Sequence, residues 1–206
     1  MSHDRARSEP AHVERARSEP GHDERARLFV ALELPQDARN TLGQWRSDHL
    51  GDSSALRPVA ADALHVTLCF LGWRPMVEID QIAGGCGFLA ARRAVQLSLG
   101  VPRWLPPRRP RLLAVELNDP ENALAGVQAA LSDALATGGW YEPETRPYLA
   151  HVTVARLRKG ARVEHAELPP PPPIAVRGSA VTLYRSRLAP TGARYEPLRR
   201  IELGAA

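Results

Sequence analysis

The segments ALHVTLCFLG, residues 63–72, and LAHVTVARL, residues 149–157, share one core, His-Val-Thr-aliphatic, with the two histidines 86 residues apart. Both are short apolar runs of the kind that form buried strands. In extended backbone, residues two apart share a face, so His65 and Thr67 stand on one side and Val66 and Leu68 on the other. His151 and Thr153 repeat this against Val152 and Val154. The chain must therefore hold two strands, each with an aliphatic side for a core and a side carrying imidazole and hydroxyl. With seven His and seven Thr in 206 residues, chance supplies about 0.24 His-x-Thr triplets per chain. The duplication, with aliphatic residues in both gaps, points to two similar halves and to a polar face that is the wall of a site.

The rest of the chain divides accordingly. RLFVALELP reads as a strand ending at Pro35, followed by a helix with Ala38, Leu42 and Trp45 at helical spacing. Residues 76–91 read as a second helix weakened by Gly84, Gly85 and Gly87. VQLSLG and RPRLLAVEL read as strands joined by a proline-rich loop, PRWLPPRRP. A third helix is expected over 120–137, with Leu124, Val127, Leu131 and Leu135 inward and Asn118 or Asp119 as its cap. Pro169 to Pro173 mark an extended connector, after which IAVRGSAVTLYRSRL, an APTGA turn and ARYEPLRRIEL read as a closing antiparallel pair. The fold class expected is α+β, with two lobes of antiparallel sheet facing a central cleft.

Residues 1–26 repeat with a period of ten (DRARSEP, ERARSEP, ERAR) and contain almost no large apolar side chains, so they cannot offset the entropy of ordering and read as a disordered, solvated tail ahead of a folded domain over 27–206. Three histidines there, His3, His12 and His22, lack the fixed surroundings a metal site needs. The net charge of +4 is carried almost wholly by arginine, Lys159 being the one lysine, and guanidinium forks suit phosphate. Apolar runs long enough for a membrane span and an apolar N-terminal signal are lacking, which gives no membrane partner and a cytoplasmic expectation. Cys69 and Cys86 have no metal-type spacing and fit reduced thiols.

Two histidines and two hydroxyls suit phosphodiester cleavage. One imidazole takes a proton from water, the other gives one to the leaving oxygen, and Thr and Arg hold the phosphate. Zinc would need Asp62 or Glu144 recruited from positions with no ligand spacing, and a nucleophile-elbow serine is lacking. No metal and no cofactor are expected. Arg146, Arg109 and Arg156 are further candidates for phosphate contact and Tyr148 or Trp104 for base stacking, although strict alternation puts Arg156 on the face opposite Thr153. A binding module for RNA ends, without turnover, is the alternative.

In order along residues 27 to about 203, RLFVALELP, LHVTLCFLG, RPRLLAVEL, RPYLAHVTVARLR and LYRSRLAPTGARYEPL resemble the RNA 2',3'-cyclic phosphodiesterases, also called 2'-5' RNA ligases, of the two-histidine phosphoesterase superfamily. The resemblance implies a bilobal pseudo-symmetric fold and metal-independent opening of an RNA-terminal 2',3'-cyclic phosphate to a 2'-phosphate, with 2'-5' ligation as a possible reverse. It implies His65 as proton donor, His151 as acceptor, and Thr67 and Thr153 on the phosphate; the residues by themselves leave the order of the two histidines open. The partners it implies are RNA ends or nucleotides bearing 2',3'-cyclic phosphate, met by a monomer.

Overall fold

The computed structural model describes residues 25–161, 167–189 and 192–204. The repetitive segment before Arg25 and part of the APTGA turn lie outside them. Within the described residues the strands and helices run in order: β1 (Arg25–Glu33), α1 (Gln36–Leu50), β2 (Leu56–Pro58), β3 (His65–Pro75), α2 (Ile79–Gly85), β4 (Val95–Leu105), β5 (Leu112–Asn118), α3 (Ala123–Thr137), β6 (His151–Leu157), β7 (Ala175–Gly178), β8 (Ala180–Ala189) and β9 (Gly192–Glu202). Of these, β2 falls in a stretch whose polar sequence reads as loop. The first strand begins two residues earlier than the expected domain start. The second helix is broken as its glycines suggest, with α2 flanked by short 3-10 turns.

One nine-stranded antiparallel sheet joins the two halves in the order β7-β4-β5-β6-β3-β1-β8-β9, with β2 added beside β6. The halves meet through the motif strands, where Val66 pairs with Val152. The repeat seen in the sequence is a repeat of backbone: β1-α1-β3 and β5-α3-β6 are each an antiparallel strand pair with a 15-residue helix between. Val66, Leu68, Val152 and Val154 are buried on the helix side together with Ala38, Leu42 and Trp45 of α1 and Leu124, Val127, Leu131 and Leu135 of α3.

Two local features depart from the expectations, and a third, the α3 cap, falls on Asp119, one of the two residues expected there. PRWL is not loop but the end of β4: a register irregularity between Leu99 and Pro102 precedes the proline, the kind of position where strands tolerate one. The α3 cap is Asp119 acting at a distance, its carboxylate accepting from the N–H groups of Ala123 (2.8 Å) and Ala125 (2.9 Å), while Asn122 enters the helix at φ 52°. The stretch IAVRGSAVTLYRSRL is two strands broken at Ser179, β7 pairing β4 at one end of the sheet and β8 pairing β1 near the other. Gly178 makes that crossing possible, since a Cβ there would meet Leu32 Cδ2 at 2.6 Å and Val95 Cγ2 at 2.8 Å. The proline run packs on α1, where the Trp45 indole donates to the Pro169 carbonyl (2.9 Å).

Candidate active site

The Val66–Val152 pairing decides the geometry of the two motifs. Carried one residue each way, an antiparallel register sets His65 across from Thr153 and Thr67 across from His151, all four on the face opposite the valines. The two histidines are then diagonal neighbours, for which Cβ atoms lie about 7–8 Å apart. Each imidazole is held in the same way: His65 Nδ1 donates to the Ala63 carbonyl and His151 Nδ1 to the Leu149 carbonyl, both at 2.8 Å. A carbonyl can only accept, so each Nδ1 carries a proton and each Nε2 is left to face the site. At His65, Nε2 accepts from the Thr67 hydroxyl at 3.1 Å.

The twofold relation extends outward. Glu33 of β1 pairs with His65 and Glu116 of β5 with His151. Each carboxylate meets an arginine from a strand farther out, Glu33 with Arg200 of β9, two strands away across β8, at 2.9 Å and Glu116 with Arg103 of the adjacent β4 at 2.5 Å. Burial pushes the Glu33 carboxyl up, but the hydrogen bonds from Thr182 and Arg200 outweigh it and hold the group below its ordinary value.

Both motif strands also bulge at the same place. Ala31 pairs with Thr67 and Val30 with Cys69, so Leu68 is the extra residue; Ala114 pairs with Thr153 and Leu113 with Ala155, so Val154 is. Leu68 and Cys69, and likewise Val154 and Ala155, are buried in succession, which returns Phe70 and Arg156 to the histidine face. A helix side chain braces each bulge: Gln128 of α3 donates to the Leu68 carbonyl and Arg46 of α1 to the Val154 carbonyl, each at 3.4 Å. Strict alternation assigns Arg156 to the far side; the bulge is the physical reason it is not there.

A cavity of about 320 Å³ opens beside His65, lined by Thr67, Phe29, Phe70, Tyr195, Ser186 and three arginines, Arg27, Arg57 and Arg156. That is the low end of the size range of small-ligand sites. Phe29 lies 4.9 Å from the His65 ring and Tyr195 meets it edge-on at 5.1 Å. Burial among these groups pushes the His65 imidazole down to about 4; the Ala63 bond opposes the shift, and the charges of Arg156 and His151 add to it. His151 and Thr153 are half-buried on the adjacent strand and do not border this cavity.

Of the other candidates, Arg146 is paired with Glu144 at 3.4 Å with its side chain 80% exposed, and neither it nor Arg109 borders the cavity. Tyr148 faces the other way: its hydroxyl donates to the Thr67 carbonyl at 3.2 Å and burial pushes its pKa up, so it braces β3. Arg27, Arg57 and Tyr195 were not singled out from the sequence. Arg57 arrives through β2, a three-residue strand whose partner in register is Arg156. Among the described residues no three His, Cys, Asp or Glu side chains converge as metal ligands, and no helix is long and apolar enough to cross a membrane.

The profile of the 2'-5' RNA ligase superfamily matches residues 34–189. The chain belongs to that superfamily. Two curated members are similar over most of its length: the RNA 2',3'-cyclic phosphodiesterase of Escherichia coli K12, 32% identical and covering 84% of this chain and 94% of its own, and that of Thermus thermophilus, 30% identical and covering 86% and 90%. Among solved structures, a phosphoesterase superposes with a TM-score of 0.75 at 31% identity, covering 87% of this chain and 99% of its own. The E. coli LigT complex with 3'-AMP superposes at 0.72 with 30% identity, covering 87% and 98%. The α+β architecture of this superfamily member is thus that of the two-histidine phosphoesterases.

Proposed function

We propose that the protein hydrolyses RNA-terminal 2',3'-cyclic phosphates to 2'-phosphates without a metal, using His65 and His151 as the acid-base pair and Thr67 and Thr153 to grip the phosphate. The observation that carries this reading is the matched pair of imidazoles. Both are locked by a backbone carbonyl at Nδ1, and both offer Nε2 for proton transfer on one face of paired strands. Water attacks phosphorus, one Nε2 takes its proton, the P–O3' bond breaks, and the other Nε2–H protonates O3'. Arg156 and Arg57, on the cavity wall, neutralise the phosphate. A 5'-hydroxyl in place of water would yield a 2'-5' linkage by the same steps. Relatives named RNA 2',3'-cyclic phosphodiesterase support the substrate class.

Electrostatics bears on the order of the two histidines. In the free protein His65, held to about 4, is neutral at pH 7. To act as donor it must gain its proton as the phosphate arrives, the anion cancelling the repulsion from Arg156. The same depressed value favours a second reading, in which His65 takes the proton from water and His151 protonates the leaving oxygen. A substrate with sulfur at the bridging 3' position separates the two, because a thiolate leaves without protonation. Selective rescue of His65→Ala on the sulfur substrate assigns His65 as donor; rescue of His151→Ala instead reverses the order. Failure of the wild-type protein to convert a cyclic-phosphate end to a 2'-phosphate would refute the activity and leave RNA-end binding.

A further inference from the structure

The histidine face does not end at Phe70. A second irregularity, between Leu28 and Phe29, makes Phe70 pair with Phe29 while Gly72 pairs with Leu28 and Trp73 with Arg27. Gly72 takes φ 70°, a conformation open to glycine and rarely to other residues, which lets Leu71 bulge toward the core. Cross-strand partners share a face, and Arg27 borders the cavity with its guanidinium 4.7 Å from the Phe70 ring centre. Trp73 therefore stands on the catalytic face. Thr67, Phe70 and Trp73 are spaced at equal intervals opposite Ala31, Phe29 and Arg27, two residues of β1 apiece, about 7 Å.

Trp73 is 56% exposed and Phe70 46%. Between and beyond them are Arg27 and Arg25, the latter donating from its guanidinium to the Trp73 carbonyl at 2.9 Å. Aromatic planes at regular intervals beside guanidinium groups are what a single-stranded nucleic acid uses: bases stack on the rings and phosphates lie along the cations. The strip leads directly out of the cavity where the cyclic phosphate is held, and its charge has the sign a phosphate chain requires. We propose that Trp73, flanked by Arg25 and Arg27, is a platform for the nucleotide preceding the cyclic-phosphate end, so that the preferred substrate is an RNA oligonucleotide and not a mononucleotide. This rests on the phosphodiesterase reading above.

The test compares kcat/KM for a mononucleoside 2',3'-cyclic phosphate and for a pentaribonucleotide ending in the same group, in wild type, Trp73→Ala and Trp73→Phe. Stacking of one base corresponds to roughly 5- to 100-fold, so Trp73→Ala should lose at least about fivefold on the pentanucleotide and nothing on the mononucleotide, with Trp73→Phe keeping most of the activity. An equal effect on both substrates, or none on the pentanucleotide, overturns the platform. If wild type turns over neither substrate, the catalytic reading fails on its own, and fluorescence anisotropy of a labelled pentanucleotide ending in 2'-phosphate still decides the platform: weaker binding to Trp73→Ala upholds it, unchanged binding overturns it. Loss of self-association in Trp73→Ala, with RNA binding intact, would also overturn it and assign the strip to a second copy of the chain.

Discussion

If His65 is neutral in the resting fold, its titration must appear in the stability of the protein. The ordinary imidazole value is about 6.5, and burial in the Phe29–Tyr195 pocket, reinforced by Arg156 and His151, takes it to about 4 in the folded chain. The unfolded chain then binds a proton that the folded chain refuses. Stability from this group is complete above about pH 6.5, falls as the pH is lowered, and is lost once the pH has passed through 4. A shift from about 6.5 to about 4 corresponds to about 3 kcal/mol in all, of which about 2 kcal/mol is gone by pH 5.

The perturbation is His65→Gln, which keeps a polar side chain and removes the titration. Urea unfolding of wild type and variant at pH 7.5, 6, 5 and 4.5 gives the difference, in which the carboxylates common to both chains largely cancel. Wild type is expected to lose about 2 kcal/mol more than His65→Gln between pH 7.5 and 5. Parallel curves would mean that the pocket accepts a charged imidazole without ligand, and the neutral resting state would be refuted.

Turnover on a cyclic-phosphate end should be bell-shaped in pH, and His65→Ala and His151→Ala should each lose about 10²–10⁴-fold in kcat; near wild-type turnover in either variant removes the two-proton scheme. Thr67→Val deletes the hydroxyl that donates to His65 Nε2, so KM for the phosphate substrate should rise, about tenfold for one lost charge-assisted bond, and an unchanged KM would exclude Thr67 from the phosphate. Gly178→Ala forces a methyl against Leu32 and Val95, and urea midpoints should show a loss of about 1–3 kcal/mol; a neutral result would mean the crossing can move.

Much of this was legible in the residues because the period-two and helical patterns are local. Ala38, Leu42 and Trp45 face inward as their spacing indicates, and the valines of both motifs are buried. What failed to show was whatever depended on partner strands. Pro102 and Trp104 read as loop because a proline ordinarily ends a strand, whereas a bulge opposite Glu116, just before Pro102, absorbs it. Strict alternation puts Arg156 on the far side because a bulge has no spacing signature. Arg57 and Tyr195 border the cavity through pairings 99 and 130 positions removed from the motif residues they approach, Arg156 and His65, and nothing local announces them.

The same bulges explain how a symmetric backbone yields an asymmetric site. Equivalent pairings set Glu33 and Glu116 beside the histidines, and equivalent backbone carbonyls hold both imidazoles at Nδ1, so in the proposed mechanism the duplicated motif would supply two interchangeable proton-transfer groups. Two-step proton transfer needs them to differ. The difference is written at positions the twofold relates but the sequence does not repeat: Phe70 in one half corresponds to Arg156 in the other, and Phe29 to Leu112. Phe29 closes over His65, and Arg156 adds a positive charge to its surroundings. An anion entering the cavity would oppose that charge directly. Exchanging these two positions alone, as Phe70→Arg with Arg156→Phe, should therefore leave the fold intact while shifting the acid limb of the turnover profile; an unmoved limb would mean that the surroundings at these positions do not set the proton affinity of His65.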